Sequence, residues 1–132
     1  MTVMGVDSRV ALLVEADPVQ RDLIRLALSR LGLQVTVTTD GDRVVGMVEA
    51  LHPAILVIDA FLPNRNGLEI LRQLRDLGRL EETGVIFISG LGFREVVQQA
   101  VDAGAEVFLV KPVDTDLLVE RARQMLAERV KR

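Results

Sequence analysis

Short apolar runs alternate along the chain with longer segments in which apolar residues recur every three or four positions. The runs lie at 10–14, 55–58, 85–88 and 107–110, and the β-branched segment 34–38 has the alternation of a strand. A helical pattern follows each of these strands. Five strand–helix units in succession predict an α/β fold in which an open, five-stranded parallel sheet has helices on both faces.

Helical spacing also predicts which side chains face the core. The expected inward residues are Leu23, Ile24, Ala27, Leu28 and Leu31 in the first helix, Val44, Val45, Val48 and Leu51 in the second, Leu71, Leu74 and Leu77 in the third, Phe93, Val96, Val97, Ala100 and Val101 in the fourth, and Leu118, Ala122, Met125 and Leu126 in the fifth. Since the chain has no Trp and no Tyr, we expect an aliphatic core.

Length and composition narrow the class of protein. A chain of 132 residues has the size of one domain, and we expect a single domain over 1–132 with its core at about 9–130. The absence of cysteine excludes disulfides, thiolate zinc sites and a cysteine nucleophile, and it fits the cytoplasm. A net charge of −3 and the lack of an apolar run of about 20 residues predict no direct nucleic-acid partner and no membrane partner.

The third apolar run ends in a carboxylate. Residues 55–67 read Ile-Leu-Val-Ile-Asp-Ala-Phe-Leu-Pro-Asn-Arg-Asn-Gly. A strand that is apolar at every position is typical of a parallel sheet covered on both faces, and ligands bind beyond the carboxyl ends of such strands. Asp59 is therefore either an acid that faces an active crevice or an ordinary turn or helix-capping aspartate.

Polar residues follow the other strands in the same way. Glu15 and Asp17 come after the first strand, Ser89 ends the fourth and Lys111 follows the fifth. Carboxylates that meet at one point repel each other, and a hard cation such as Mg²⁺ relieves that repulsion. An aspartate can act as a nucleophile, and an ammonium can neutralise a phosphoryl oxygen. The set therefore suits phosphoryl transfer, which depends mainly on positioning and electrostatic stabilisation.

The order and spacing of four motifs resembles the receiver domain of two-component response regulators, which is CheY-like. The motifs are Leu-Val-Glu-Ala-Asp-Pro at 13–18, Ile-Asp-Ala-Phe-Leu-Pro-Asn-Arg-Asn-Gly at 58–67, Ile-Ser-Gly at 88–90 and Phe-Leu-Val-Lys-Pro at 108–112. The resemblance covers the chain from about Val10 to the last helix. It implies a flavodoxin-like three-layer sandwich with strand order 2-1-3-4-5 and five helices.

The resemblance also implies roles for individual residues. Asp59 would accept a phosphoryl group from a histidine kinase or a histidine phosphotransfer protein, assisted by Ser89 and Lys111. Ser89 and Phe108 would form the switch that changes the face made by the fourth helix, fifth strand and fifth helix. That face would bind a downstream effector, and it could also pair two copies of the chain. The Lys111–Pro112 bond would be cis. The domain would be a phosphoacceptor that assists its own phosphorylation and dephosphorylation, rather than an enzyme.

The loop after the first strand departs from the family pattern. The implied Mg²⁺ ligands are Glu15, Asp59 and the backbone carbonyl of Phe61, but Ala16 stands where the family usually has the acid that binds the metal directly. Asp17 is a doubtful substitute because it is expected to cap the first helix. We therefore expect weak Mg²⁺ binding and slow phosphorylation.

Other interpretations stay open at this point. Lys111 could be a surface lysine, Ser89 a loop cap and Phe108 an ordinary core residue. Ala16 also suits a degenerate receiver that serves as a phosphorylation-independent interaction module. A flavin or nucleotide enzyme is disfavoured because the loop after the first strand is not glycine-rich, and a haloacid-dehalogenase-type phosphatase would need Asp-x-Asp where residues 59–61 are Asp-Ala-Phe. The sequence names neither the kinase nor the output.

Overall fold

A computed structural model describes residues 9–130, so residues 1–8, 131 and 132 of the expected domain lie outside the described part. The strands are β1 (Val10–Val14), β2 (Gln34–Thr38), β3 (Ile55–Asp59), β4 (Gly84–Ser89) and β5 (Val107–Val110). The helices are α1 (Pro18–Ser29), α2 (Val44–Leu51), α3 (Gly67–Asp76), α4 (Arg94–Asp102) and α5 (Thr115–Val130), with a 3-10 turn at Gly41–Arg43. Within 9–130, no helix combines the length and the apolar character needed to cross a membrane.

The five strands form one parallel sheet in the order β2-β1-β3-β4-β5. This is the strand order that the resemblance predicts, and it is confirmed. All five residues of β3 are buried, as expected for a central strand covered on both faces. Because the strands are parallel, their carboxyl ends lie at one edge of the sheet.

Two apolar cores, one on each face of the sheet, complete the predicted three-layer sandwich. On one face α1 and α5 cover the sheet, and on the other α2, α3 and α4 do so. The helix residues buried in the first core are Ile24, Ala27, Leu28, Leu118, Val119, Ala122 and Met125, and those in the second are Val44, Val48, Ile70, Leu71, Leu74 and Ala100.

Four residues predicted to face the core are exposed instead. Leu23 is 46% exposed, Leu77 44%, Phe93 65% and Val101 50%. Leu23 precedes the fully buried Ile24 and so projects about 100° around the helix from it. Leu77 and Phe93 lie just outside α3 and α4, where they cap the helix ends. Only Ala100 is fully buried in α4, so this helix covers the sheet with a narrow apolar stripe.

Candidate functional site

The carboxyl edge of the sheet gathers the polar residues that follow the strands. Asp59 ends β3 and Ser89 ends β4, and Glu15 and Lys111 come directly after β1 and β5. Glu15 and Ser89 have no exposed surface, and Asp59 is 3% exposed. Buried polar groups at one edge require partners, and the partners here are largely each other.

Lys111 lies between the two buried acids. Its Nζ is 2.5 Å from Asp59 Oδ2 and donates to Glu15 Oε2 over 3.2 Å. Burial alone would lower the pKa of Lys111, but the hydrogen bonds to Asp59 and Glu15 outweigh that effect and raise the pKa above its ordinary value. The ammonium is therefore held in its charged form next to both carboxylates.

Glu15 has one carboxylate oxygen with incomplete contacts. Its Oε2 accepts from Asp17 N–H at 3.0 Å as well as from Lys111. Its Oε1 lies 3.0 Å from Lys111 Nζ, but the angles do not make that contact a hydrogen bond, and Oε1 has no other partner among the described residues. Burial and then the neighbouring Asp59 carboxyl raise the pKa of Glu15 above 4.5, against the opposing bonds from Asp17 and Lys111.

The two oxygens of Asp59 face different donors. Oδ1 accepts from Phe61 N–H at 3.1 Å, and Oδ2 meets Lys111. The start of α3 packs against the backbone of Asp59, since a Cβ on Gly67 would lie 2.0 Å from the Asp59 carbonyl oxygen. Gly67 N–H also donates to Ala60 O at 2.7 Å. Only glycine allows α3 to begin this close to the acid.

Ser89 and Phe108 lie on neighbouring strands. Ser89 Oγ accepts from Leu91 N–H at 3.0 Å, and Ser89 O accepts from Lys111 N–H at 2.9 Å. Phe108 is partly buried, and its ring centroid lies 5.9 Å from that of Phe87, its partner in the register of β4 and β5. The Lys111–Pro112 peptide is cis.

The oxygen atoms at this edge of the sheet are of the kind that a hard divalent cation binds, but few of them belong to acidic side chains. Glu15 and Asp59 supply carboxylate oxygens, one of them the buried Oε1 without a hydrogen bond, and Phe61 can supply a carbonyl. Asp17 caps α1 by accepting from Val19 N–H at 3.1 Å. No group of three or more acidic, histidine or cysteine side chains that could hold a metal lies within 9–130. Two carboxylates and one backbone carbonyl are therefore the oxygen ligands that Glu15, Asp59 and Phe61 could offer a divalent cation.

Two polar residues that connect loops at this edge of the sheet carry no signal in the sequence. Gln20 Oε1 accepts from Val113 N–H at 3.1 Å, just beyond Lys111. Asn64 Nδ2 donates to Asp40 Oδ1 at 2.8 Å and to Asp42 at 3.1 Å, and so ties the loop after β3 to the loop after β2. Donation from Asn64 is the main cause that lowers the pKa of Asp40, and Asp42 N–H adds to it. Sequence periodicity cannot pair residues so far apart along the chain.

Comparison with known proteins gives a consistent result. The response regulator receiver domain matches residues 11–123. The chain is 29% identical over 115 residues to the DNA-binding dual master transcriptional regulator RpaA of Synechocystis, covering 87% of this chain and 48% of that protein. It is 32% identical to a 14.6 kDa protein encoded in the sodA1 3′ region of Leptolyngbya boryana, covering 86% of each. The chain thus spans about half the length of the Synechocystis relative.

Comparison with solved structures identifies the same fold. The receiver domain of the Francisella response regulator 1452 superimposes with a TM-score of 0.83 at 24% identity, covering 90% of this chain and 97% of that one. Receiver domains are signalling domains of two-component systems and interact with histidine kinases and effector domains. The extent of the family match and the fold lead to one conclusion: the chain belongs to the family of response regulator receiver domains.

Proposed function

We propose that Asp59 accepts a phosphoryl group from a phosphohistidine on a histidine kinase or a histidine phosphotransfer protein. The observation that carries this proposal is the Lys111 ammonium held between the buried carboxylates of Glu15 and Asp59. An Asp59 oxygen attacks the phosphorus, the P–N bond breaks, and its electron pair leaves with the imidazole nitrogen. The product is an acyl phosphate on Asp59.

Lys111 and Ser89 would stabilise the transferred group. The Lys111 ammonium already contacts Asp59, so it lies within reach of a phosphoryl oxygen attached there. The Ser89 hydroxyl accepts from Leu91 N–H and keeps its own hydrogen for donation. Both groups are fixed before reaction, which is how preorganised electrostatics lowers the barrier of phosphoryl transfer.

Mg²⁺ would be held by Glu15, Asp59 and the Phe61 carbonyl, and when bound it supplies neutralisation of phosphoryl oxygen charge. Ala16 removes one carboxylate from this set. The Lys111 ammonium also cancels part of the remaining negative charge. Both features support weak Mg²⁺ binding and slow phosphorylation relative to a receiver with the full set of acids.

The output would pass through the face formed by α4, β5 and α5. Phosphorylation would draw Ser89 toward the phosphoryl group, and Phe108 would repack beside Phe87, which shifts the population between two packings. Val101 and Val110 lie in α4 and β5 and are 50% and 49% exposed. An effector protein or domain, or a second copy of the chain, would cover such apolar side chains.

The test is chemical phosphorylation of the purified chain. Incubated with Mg²⁺ and acetyl phosphate, the wild type should gain the mass of one phosphoryl group, and Asp59→Asn should not. An unmodified wild type, or an equal gain in Asp59→Asn, would refute the assignment of Asp59 as the phosphoacceptor.

One observation favours a second candidate, a receiver that acts as a phosphorylation-independent interaction module. Ala16 leaves only two carboxylates at the site, and residues 9–130 hold no group of three metal-ligating side chains. A Mg²⁺ titration separates the candidates. Millimolar affinity supports the phosphorylated switch, whereas undetectable binding that Ala16→Asp restores supports the interaction module.

A further inference from the structure

Gln20 makes a contact that links α1 to the loop carrying Lys111. It lies in the first turn of α1 and is partly buried, and its Oε1 accepts from Val113 N–H at 3.1 Å, 93 positions along the chain. Val113 is the second residue after Lys111, and its side chain is buried in the core between α1 and α5. The hydrogen bond therefore joins two elements that meet only in the folded state.

The Val113 amide is the first backbone donor after Lys111, because Pro112 has no N–H. A buried donor without a partner costs about 1–3 kcal/mol of folding stability. An acceptor for the Val113 amide avoids that cost. On the other side, Lys111 N–H donates to Ser89 O at 2.9 Å. The backbone around Lys111 is thus fixed to β4 before the lysine and to α1 after it.

The same turn of α1 is connected to the acid loop. Asp17 caps α1, and its own N–H donates to Glu15 Oε2 at 3.0 Å. Gln20 follows three residues later. The start of α1 therefore contacts both Glu15 and the loop that carries Lys111. The ammonium of Lys111 neutralises Glu15.

We propose that Gln20 is a positioning residue that sets the position of Lys111 Nζ relative to Asp59 and Glu15. This proposal rests on the proposed role of Lys111 in phosphorylation of Asp59. Gln20 touches none of the reacting atoms and acts through the backbone at Val113. Since a misplacement of 1 Å near reacting atoms can cost about 100-fold in rate, Gln20→Leu should slow phosphorylation by acetyl phosphate about tenfold or more.

Lysine NMR provides a direct readout of the geometry. The chain contains only two lysines, Lys111 and Lys131, so a sample with ¹³C-labelled lysine gives two sets of ε-methylene signals, and Lys111→Arg assigns them. At neutral pH, the Lys111 signals should move toward those of a free lysine in Gln20→Leu. Gln20→Glu retains an acceptor of the same length and should restore both the signals and the rate. Gln124→Leu, an exposed glutamine in α5, should change neither.

The outcomes separate this proposal from the proposed function. Unmoved Lys111 signals and a wild-type rate in Gln20→Leu would overturn the positioning role even if Asp59 is phosphorylated normally. Moved signals in a chain that never accepts a phosphoryl group would support the positioning role and refute the function. If Gln20→Leu does not fold, Gln20→Asn replaces it, because its reach is one methylene shorter, and the same displacement of the Lys111 signals is expected.

Discussion

Lys111 Nζ lies 2.5 Å from Asp59 Oδ2, although the two residues are 52 positions apart. The side chain of Lys111 is 21% exposed and that of Asp59 is 4% exposed. The Lys111 ammonium therefore places a positive charge directly beside the buried Asp59 carboxyl group. The negative charge of Glu15 and Asp59 is therefore balanced in part by a lysine of the same chain.

Replacing Lys111 with Met should destabilise the fold in a pH-dependent way. Two buried carboxylates would lose their cation, at a cost of about 1–3 kcal/mol at pH 7. The pKa of Glu15, already raised above 4.5, should rise further because the Lys111 bond that lowers it is gone. A raised pKa means that the folded state binds a proton that the unfolded state has released, so stability falls as pH rises from 4.5 through the folded value. Urea denaturation from pH 4.5 to 8 measures this slope.

The matched control is Arg79→Met. Arg79 forms a salt bridge with Glu49 at 3.0 Å, but both side chains are more than 40% exposed. Such pairs contribute about 0–1 kcal/mol, so this variant should follow the wild type across the pH range. A Lys111→Met variant whose stability has the same pH dependence as the wild type would contradict the buried-charge account.

Ala16→Asp should strengthen Mg²⁺ binding. A third carboxylate about 4 Å from the cation adds about 1–4 kcal/mol of attraction, so the dissociation constant should fall about tenfold or more. Chemical-shift titration with Mg²⁺ measures it, since the chain has no Trp or Tyr for a fluorescence readout. An unchanged constant would mean that Ala16 is not the cause of weak binding.

Gly67→Ala should disrupt the site, and Gly46→Ala should not. A Cβ on Gly67 would lie 2.0 Å from the backbone oxygen of Asp59, whereas one on Gly46 in α2 would have nothing within 4 Å. The first change should cost about 1–3 kcal/mol or more, as overpacking does, and it should slow phosphorylation. The second should stabilise the fold by about 0.5–1 kcal/mol, as expected in a helix interior. Thermal denaturation and the acetyl phosphate assay on both variants test the pair.

The sequence predicted the fold because its signals are local. The strands and helices follow directly from apolar runs, from the spacing of apolar residues and from the helix start at Asp17 and Pro18. The alternation of strand and helix then limits the topology. The same signals predict a helical stripe but not its width, so the prediction that Leu23 and Val101 face the core is wrong. Burial at the edge of a stripe depends on how closely the neighbouring elements approach.

The site was partly predictable for the same reason. Strand ends of a parallel sheet meet at one edge, so Glu15 and Lys111 could be expected near Asp59 from the pattern alone. Asn64 and Gln20 could not, because their partners lie on other loops and no periodicity connects them. Side chains that satisfy backbone groups of a distant loop are determined by tertiary packing.

Asn64→Ala should raise the pKa of Asp40 toward its ordinary value of 3.8, since donation from Asn64 is the main cause that lowers it. A lowered carboxyl pKa contributes stability that is present above 3.8 and lost as pH falls through the folded value. The variant should therefore be less stable than the wild type at pH 7, with a smaller difference in acid. Carboxyl NMR titration measures the pKa. An Asp40 pKa that is the same in the variant and in the wild type would contradict the role of Asn64 in lowering it.

The most direct test of the central claim uses phosphoramidate, a small donor whose P–N bond resembles that of phosphohistidine. With Mg²⁺ present, intact-mass spectrometry of the wild type should show the addition of one phosphoryl group, and Asp59→Asn should stay unmodified under the same conditions. Wild-type protein that gains no mass at any Mg²⁺ concentration, or an Asp59→Asn variant that gains it equally, would contradict the account of Asp59 as the phosphoacceptor.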